Sequence, residues 1–193
     1  MSPIVNTWPY AAVFWLVFLW AYWPEIGVAW RARGASGTQD AGSMRFIGVV
    51  LFAGVAAAFA LAYRCPAAAI AAPRTAFSTG VVAVVAASLL RRHCFRMLGG
   101  SFTGAIVVRP HQAIVERGAY RLVRHPSYTA AALMIIGIGL ALANWAALLA
   151  LVVAVAIAYG YRVRVEERAL LATLGDPYRE YMSRTKRFIP FVV

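Results

Sequence analysis

Charge is scarce in this chain, and negative charge scarcest of all. Only 13% of its 193 residues are charged, and seven acids stand against nineteen basic residues. A soluble domain of this length carries about 25% charged residues. Half that share leaves too little polar surface to cover a globule in water. Cysteine is almost missing. Cys65 and Cys94 have no metal-like spacing and fall on opposite sides of the topology derived below, so no disulfide framework is expected. Lysine is reduced to Lys186, which leaves arginine, with its planar fork for carboxylates and phosphates, to carry nearly all the positive charge. The N-terminus lacks a basic n-region and a small-residue cleavage site, so the first apolar run is expected to remain as a helix. A net charge of +12 raises the question of nucleic acid. The basic residues lie between apolar runs and in the C-terminal third, and no stretch has the polarity of a soluble basic domain. Their expected general partners are anionic membrane lipids, not nucleic acid.

What is abundant is hydrocarbon: 62% of the residues are hydrophobic, and the mean hydropathy is +0.70. Apolar stretches run at roughly 8–30, 45–63, 75–90, 127–143 and 145–161. Each is near the ~20 residues that cross a ~30 Å hydrocarbon core. Every backbone amide in hydrocarbon must be paired, and these runs lack strand alternation, so they are read as helices. Pro24-Glu25 interrupts the first run and is expected to kink or end it. Asn144-Trp145 joins the last two as a tight hairpin, with Trp145 at an interface. Gly54, Ala58 and Ala62, spaced by four, offer a close-packing stripe, and Gly137-Ile-Gly139 reads as helix packing rather than a nucleotide fingerprint.

The fold class that follows is all-α: an integral membrane bundle of about five transmembrane helices with a cytoplasmic C-terminal helical segment. One domain spans 1–193, with N-terminal spans over 1–91 and a cofactor-binding catalytic part over 92–193. Orientation follows the arginines. The loop 91–124 holds Arg91, Arg92, Arg96, Arg109, Arg117, Arg121 and Arg124 against one acid, Glu116, and is expected on the cytoplasmic side, as is the basic tail from Arg162. The expected setting is a multi-pass protein of a bacterial inner membrane. Residues 162–174 read as a mixed-face helix stopped by Gly175, followed by Asp176 as an N-cap and Pro177 as first helical residue of a short helix. Tyr178 and Tyr181 share a face of that helix.

Two polar clusters flank the hairpin. The first is Gly118-Ala-Tyr120-Arg121-Leu-Val-Arg124-His125-Pro126-Ser127-Tyr128. The second is Arg162-Val-Arg164-Val-Glu166-Glu167. A short hairpin brings its open ends together, so the clusters are expected to face one another. Arg162 and Glu166 are four apart and share a helix face. An interfacial salt bridge with headgroup-binding arginines would explain the spacing alone, and His125 before a proline can simply satisfy backbone. Glu25, an acid within a span, is either functional or paired with Arg31 or Arg33. His93 and His111 read as interfacial, and no metal site is expected.

The order RHPxY, helical hairpin, RxxxEE, Leu170, Gly175, Tyr178, Tyr181 and a closing Ile-Pro resembles the isoprenylcysteine carboxyl methyltransferase family, which is related to membrane phospholipid methyltransferases. The resemblance runs over roughly 88–191, and it includes Leu98-Gly99-Gly100-Ser101-Phe102. It implies S-adenosyl-L-methionine as methyl donor. By the same resemblance Gln112, Ala113, Ile114, Val115 and Tyr120 line the cofactor, and His125, Pro126, Ser127 and Tyr128 continue that wall. Glu166 matches a cofactor-binding acid and Arg162 an arginine for the acceptor, the two residues to which catalysis is assigned. One departure is visible: between Phe102 and Gln112 the chain reads Thr-Gly-Ala-Ile-Val-Val-Arg-Pro-His, where family members acting on prenylated proteins carry a polar stretch with a cofactor-contacting glutamine.

A carboxylate acceptor is ionised at neutral pH and needs no base, so alignment is what such a site must supply. Glu166 suits the donor's ammonium or ribose hydroxyls, and Arg162 suits a carboxylate through a two-pronged grip. The expected acceptor is a lipid-like or prenylated small molecule reaching the site from the bilayer. Two alternatives stand beside this reading. A phospholipid amine N-methyltransferase would need a base such as Glu167, His125 or Tyr128, whereas a non-catalytic membrane scaffold would need no donor site at all.

Overall fold

The computed structural model describes residues 3–33, 39–40, 42–99, 104–109 and 112–190. Gly100, Ser101, Phe102 and His111 lie outside the described residues, as do the side chains of Arg31 and Arg33. Six α-helices follow in order: α1 (Tyr10–Arg33), α2 (Ser43–Arg64), α3 (Pro73–Leu98), α4 (Pro126–Ala141), α5 (Trp145–Leu174) and α6 (Asp176–Arg184). No strand occurs among the described residues beyond two isolated bridges. The protein is the all-α membrane bundle that its composition requires. Helices α1, α2, α3 and α5 are long and apolar enough to cross a membrane, and α4 is a shorter apolar helix. Its 16 residues rise ~24 Å.

The boundaries have local causes. Prolines occupy the first turns of α3 and α4, where their missing N–H would be unpaired in any case. Asp40 satisfies the first turn of α2, its Oδ2 accepting from the Met44 amide at 2.9 Å. Asn144 caps α5 by accepting from the Ala147 amide at 3.1 Å, and its Nδ2 donates to the Cys65 carbonyl at 2.9 Å. That one side chain ties the α4–α5 turn to the end of α2. Pro24 neither ends nor divides α1, which continues to Arg33. The residue before α6 is Gly175, at φ 62°, so Asp176 is the first helical residue rather than the expected cap. A left-handed position between two helices favours glycine, which displaces the aspartate by one.

Hydrocarbon gives helices no hydrophobic reason to associate, so packing decides. The expected stripe on α2 faces α5: a Cβ on Gly54 would fall 2.5 Å from the Ala154 Cβ, and Ala58 and Ala62 are buried. Gly80 of α3 and Gly137 of α4 lie against each other, and a Cβ on Gly80 would stand 2.5 Å from the Gly137 carbonyl oxygen and 2.4 Å from the Ala141 nitrogen. Gly139 faces Leu148 across the hairpin. Met134, Ile138, Leu142 and Leu151 fill the centre. Outward faces stay apolar, with Trp15, Leu16, Leu19, Trp23, Val49, Phe52, Leu149 and Ile157 exposed. This is the surface a bilayer requires. Cys65 and Cys94 are free thiols.

Candidate active site

The two polar clusters meet. Pro126 starts α4, so the residues before it leave the helix and run beside α5's charged end. Residues 123–125 pair with the segment after α6: the amides of Arg124 and His125 donate to the carbonyls of Lys186 at 2.7 Å and Arg187 at 3.0 Å. Thr129 Oγ1 donates to the Phe188 carbonyl at 3.0 Å, and Tyr181 Oη to the Tyr120 carbonyl at 2.6 Å. Residues 185–188 thus form a strap across the start of α4. Glu167 locks it, accepting from Arg124 Nε at 3.0 Å and Arg187 Nη2 at 2.8 Å, with His125 Nε2 at 3.3 Å.

Glu166, the residue just before Glu167 on α5, faces elsewhere. Its Oε2 accepts from Tyr128 Oη at 2.6 Å, and Arg162 Nε donates to the same phenol at 3.1 Å. Tyr128 therefore stands between Arg162 and Glu166, in place of the direct salt bridge their spacing allowed. The rest of the Arg162 guanidinium is engaged as well. Nη1 donates to Asp40 and, at 2.5 Å, to Ser43 Oγ, while Nη2 donates to the Gly104 carbonyl at 2.6 Å. Of its five N–H groups four are taken among the described residues. The expected two-pronged grip on a carboxylate is not open, because Asp40 and the Gly104 carbonyl fill those directions.

These residues wall an open cavity whose empty space, solvent at its mouth included, is about 930 Å³. Gln112, Ala113, Ile114, Val115, Tyr120, His125, Ser127, Tyr128, Arg162 and Glu166 all line it. Pro126 does not. It is buried in the first turn of α4, where its ring sets the helix start and leaves the cavity to its neighbours. Sequence reasoning missed the opposite wall, formed by Ala105–Val108, and also Leu170, Leu174, Tyr178 and Tyr181 as lining residues. Where a polar stretch was looked for, an aliphatic one closes the cavity.

Behind the wall, Arg91 holds the first turn of α4, donating from Nη1 to the Ser127 carbonyl and hydroxyl, both at 2.8 Å. Its counter-ion is Glu25, which accepts from Nη2 at 2.7 Å and also from Nε. Glu25 thus pairs across to α3. His93, exposed on α3, takes no part in the cavity.

Several polar groups along the cavity have no partner among the described residues. The second oxygen of Glu166 accepts no hydrogen bond among the described residues. The amides of Ala113, Ile114 and Val115 donate to nothing there either, so an extended polar edge lies open along the cavity. Tyr120 Oη is buried against the Cys94 thiol and forms no hydrogen bond of ordinary geometry among the described residues. Burial pushes the Tyr120 phenol well above its usual range and that of Tyr181 up to about 12, so both are neutral at neutral pH. Burial also raises the Asp40 carboxyl, but the Met44 amide, the Arg162 charge and the Ser43 hydroxyl outweigh it and hold Asp40 below the usual carboxylate range. No group of metal-ligating side chains occurs among the described residues.

Fold and site together define a class: a helical membrane protein with a cavity, lined by aliphatic and charged residues alike, at the open end of a helical hairpin. Residues 80–172, the stretch that holds RHPxY and RxxxEE, match the model of the isoprenylcysteine carboxyl methyltransferase family. The chain is 31% identical over 115 residues to protein-S-isoprenylcysteine O-methyltransferase B of Arabidopsis thaliana, 58% of each chain being covered. It is 27% identical over 105 residues to the Schizosaccharomyces pombe protein-S-isoprenylcysteine O-methyltransferase, covering 53% of this chain and 44% of that one. The matched region thus spans 58% of the first of these relatives and 44% of the second. Among solved structures, the eukaryotic intramembrane Ras methyltransferase of this family superposes with a TM-score of 0.59 at 22% identity, over 75% of this chain and 52% of that one. That likeness is one of fold.

Proposed function

We propose that this protein is an S-adenosyl-L-methionine-dependent methyltransferase of the membrane, acting on the carboxylate of a lipid-like acceptor of the S-prenylcysteine kind. The observation that carries the reading is the cavity itself. It joins Glu166, whose second oxygen accepts no hydrogen bond among the described residues, the 113–115 backbone edge, likewise unpaired among them, and the Tyr128–Arg162 pair, where apolar helices give way to charge. In this reading Glu166 takes the donor's ammonium or ribose hydroxyls, and Gln112, Ala113, Ile114 and Val115 receive its nucleoside. Tyr120, His125, Ser127 and Tyr128 continue that wall, Pro126 fixes it from the first turn of α4, and Arg162 orients the acceptor. The donor, when bound, supplies an electrophilic methyl on a sulfonium sulfur. Transfer to a carboxylate oxygen forms a C–O bond, breaks the S–CH3 bond and releases no proton. The chain must therefore align the two partners and exclude water.

The residues present support a carboxylate over an amine, which would have to lose a proton before attack. His125 and Glu167 are tied to one another and to two arginines, and Tyr128 already donates to Glu166. The stretches 1–91 and 92–193 act as one unit in this reading, since Asp40 reaches Arg162 and Arg91 reaches Ser127. In this reading the cavity faces the cytoplasm from a bacterial inner membrane, where a soluble donor and a bilayer-borne acceptor both have access; the arginines between the end of α3 and the start of α4 support that orientation.

Calorimetric titration of the detergent-solubilised protein with S-adenosylhomocysteine tests the proposal. The wild type is expected to bind and Glu166→Ala to lose affinity by about tenfold or more. If neither titrates, the methyltransferase reading fails and a non-catalytic scaffold remains.

A further inference from the structure

Asp40 belongs to the short connection before α2, far in sequence from every motif discussed above. Its carboxylate is nevertheless the charged partner of Arg162. Asp40 and Ser43 are both buried, and neither lines the cavity. They hold the guanidinium from behind the wall, with Ser43 Oγ donating to Asp40 Oδ1 at 2.9 Å while accepting from Arg162. What Arg162 shows the cavity is therefore a nearly neutral assembly, not a free cation.

We propose that Asp40 is a positioning residue that sets how strongly the acceptor is held: by neutralising Arg162 from behind, it keeps the guanidinium from clamping a substrate carboxylate. This inference rests on the methyltransferase reading given above. The physical reason lies in the charge balance of the reaction. A carboxylate that receives a methyl from a sulfonium loses its charge on the way to the ester. A bare guanidinium would stabilise the ionised acceptor more than the transition state, lowering KM and kcat together. With Asp40 in place, the acceptor is oriented by the one remaining N–H of Arg162. The neutral ester is then bound little differently from the acid, and acid-to-ester discrimination stays small.

The test uses N-acetyl-S-farnesylcysteine as acceptor and its methyl ester as product, with the full-length protein in detergent. In the wild type, the acid should bind no more than about tenfold tighter than the ester. An acid preference of about a hundredfold or more would mean that Arg162 acts as a free clamp and would overturn the proposal. In Asp40→Asn, KM for the acid and kcat should fall together by about tenfold, while affinities for the ester and for S-adenosylhomocysteine stay unchanged. A merely structural Asp40 would instead weaken acid and ester alike, and an unchanged or raised acid KM with retained donor binding sinks the inference. Asp40→Glu, which keeps the charge, should restore the wild-type ratio of acid to ester. If Asp40→Asn does not fold, the wild-type acid-to-ester ratio still decides. Absence of any S-adenosylhomocysteine binding by the wild type would count against the methyltransferase reading itself, a separate failure.

Discussion

Replacing Glu167 with alanine removes the carboxylate on which the start of α4, the end of α5 and the strap 185–188 converge. Its side chain is 5% exposed, that of Arg124 8% and that of Arg187 44%. The two arginines therefore respond differently. Arg187 can turn to water, and its share is that of a surface pair, about 0–1 kcal/mol. Arg124 stays buried against the Met182 and Thr185 carbonyls without a counter-ion. Leaving such a charge uncompensated costs about 3–5 kcal/mol. For a chain of this size that corresponds to a fall in Tm of roughly 6–20 °C, measurable by thermal unfolding in detergent. Because the strap pairs with residues 124 and 125, which line the cavity, S-adenosylhomocysteine binding should fall along with stability. Glu167→Gln keeps an acceptor oxygen and should lose less of both. A Glu167→Ala protein that melts within about 2 °C of the wild type and titrates normally would refute this account of the strap.

Other consequences follow from contacts elsewhere. Gly80→Val should cost about 3 kcal/mol or more, read as lost monodisperse yield or a lowered Tm, because the new side chain meets the α4 backbone, which cannot move aside. Glu25→Gln and Arg91→Met should each destabilise the protein, whereas the double substitution should recover much of the loss, since a buried pair suffers more from losing one partner than both. A double-mutant cycle of melting temperatures checks this. Asp40 has a folded-state pKa below its unfolded value, so its contribution is present above about pH 4 and is lost as pH falls through the depressed value. Acid unfolding of Asp40→Asn should accordingly show a shallower loss of stability below about pH 4 than the wild type.

The helices were legible because hydrocarbon permits few alternatives: long apolar runs must pair their own amides, and Pro126 and Asn144 mark where α4 and α5 begin. The facing of the RHPSY and RxxxEE clusters was legible for a topological reason, since a turn as short as 142–144 leaves its helices' other ends side by side. What escaped were contacts that depend on how each helix is rotated about its axis. Glu25 has basic residues near it in sequence, yet its partner is Arg91, 66 residues away. Asp40 reads as a polar loop residue ahead of an apolar run, and its contact with Arg162 spans 122 positions. The insertion of Tyr128 between Arg162 and Glu166 was hidden for the same cause, because helical spacing allowed the pair and only the packing of α4 on α5 denies it. The aliphatic wall 105–108 was marked only as a departure from the family's polar stretch, since residues without polar atoms do not announce a ligand surface.

The strap carries a consequence for biosynthesis. Residues 185–188 leave the ribosome after all five apolar helices, so a nascent chain can be inserted and packed before the strap pairs with Arg124 and His125 of the cavity wall. Competence to hold a ligand then arrives as a late event, and translation arrested before Thr185 should yield a membrane-integrated but inert product.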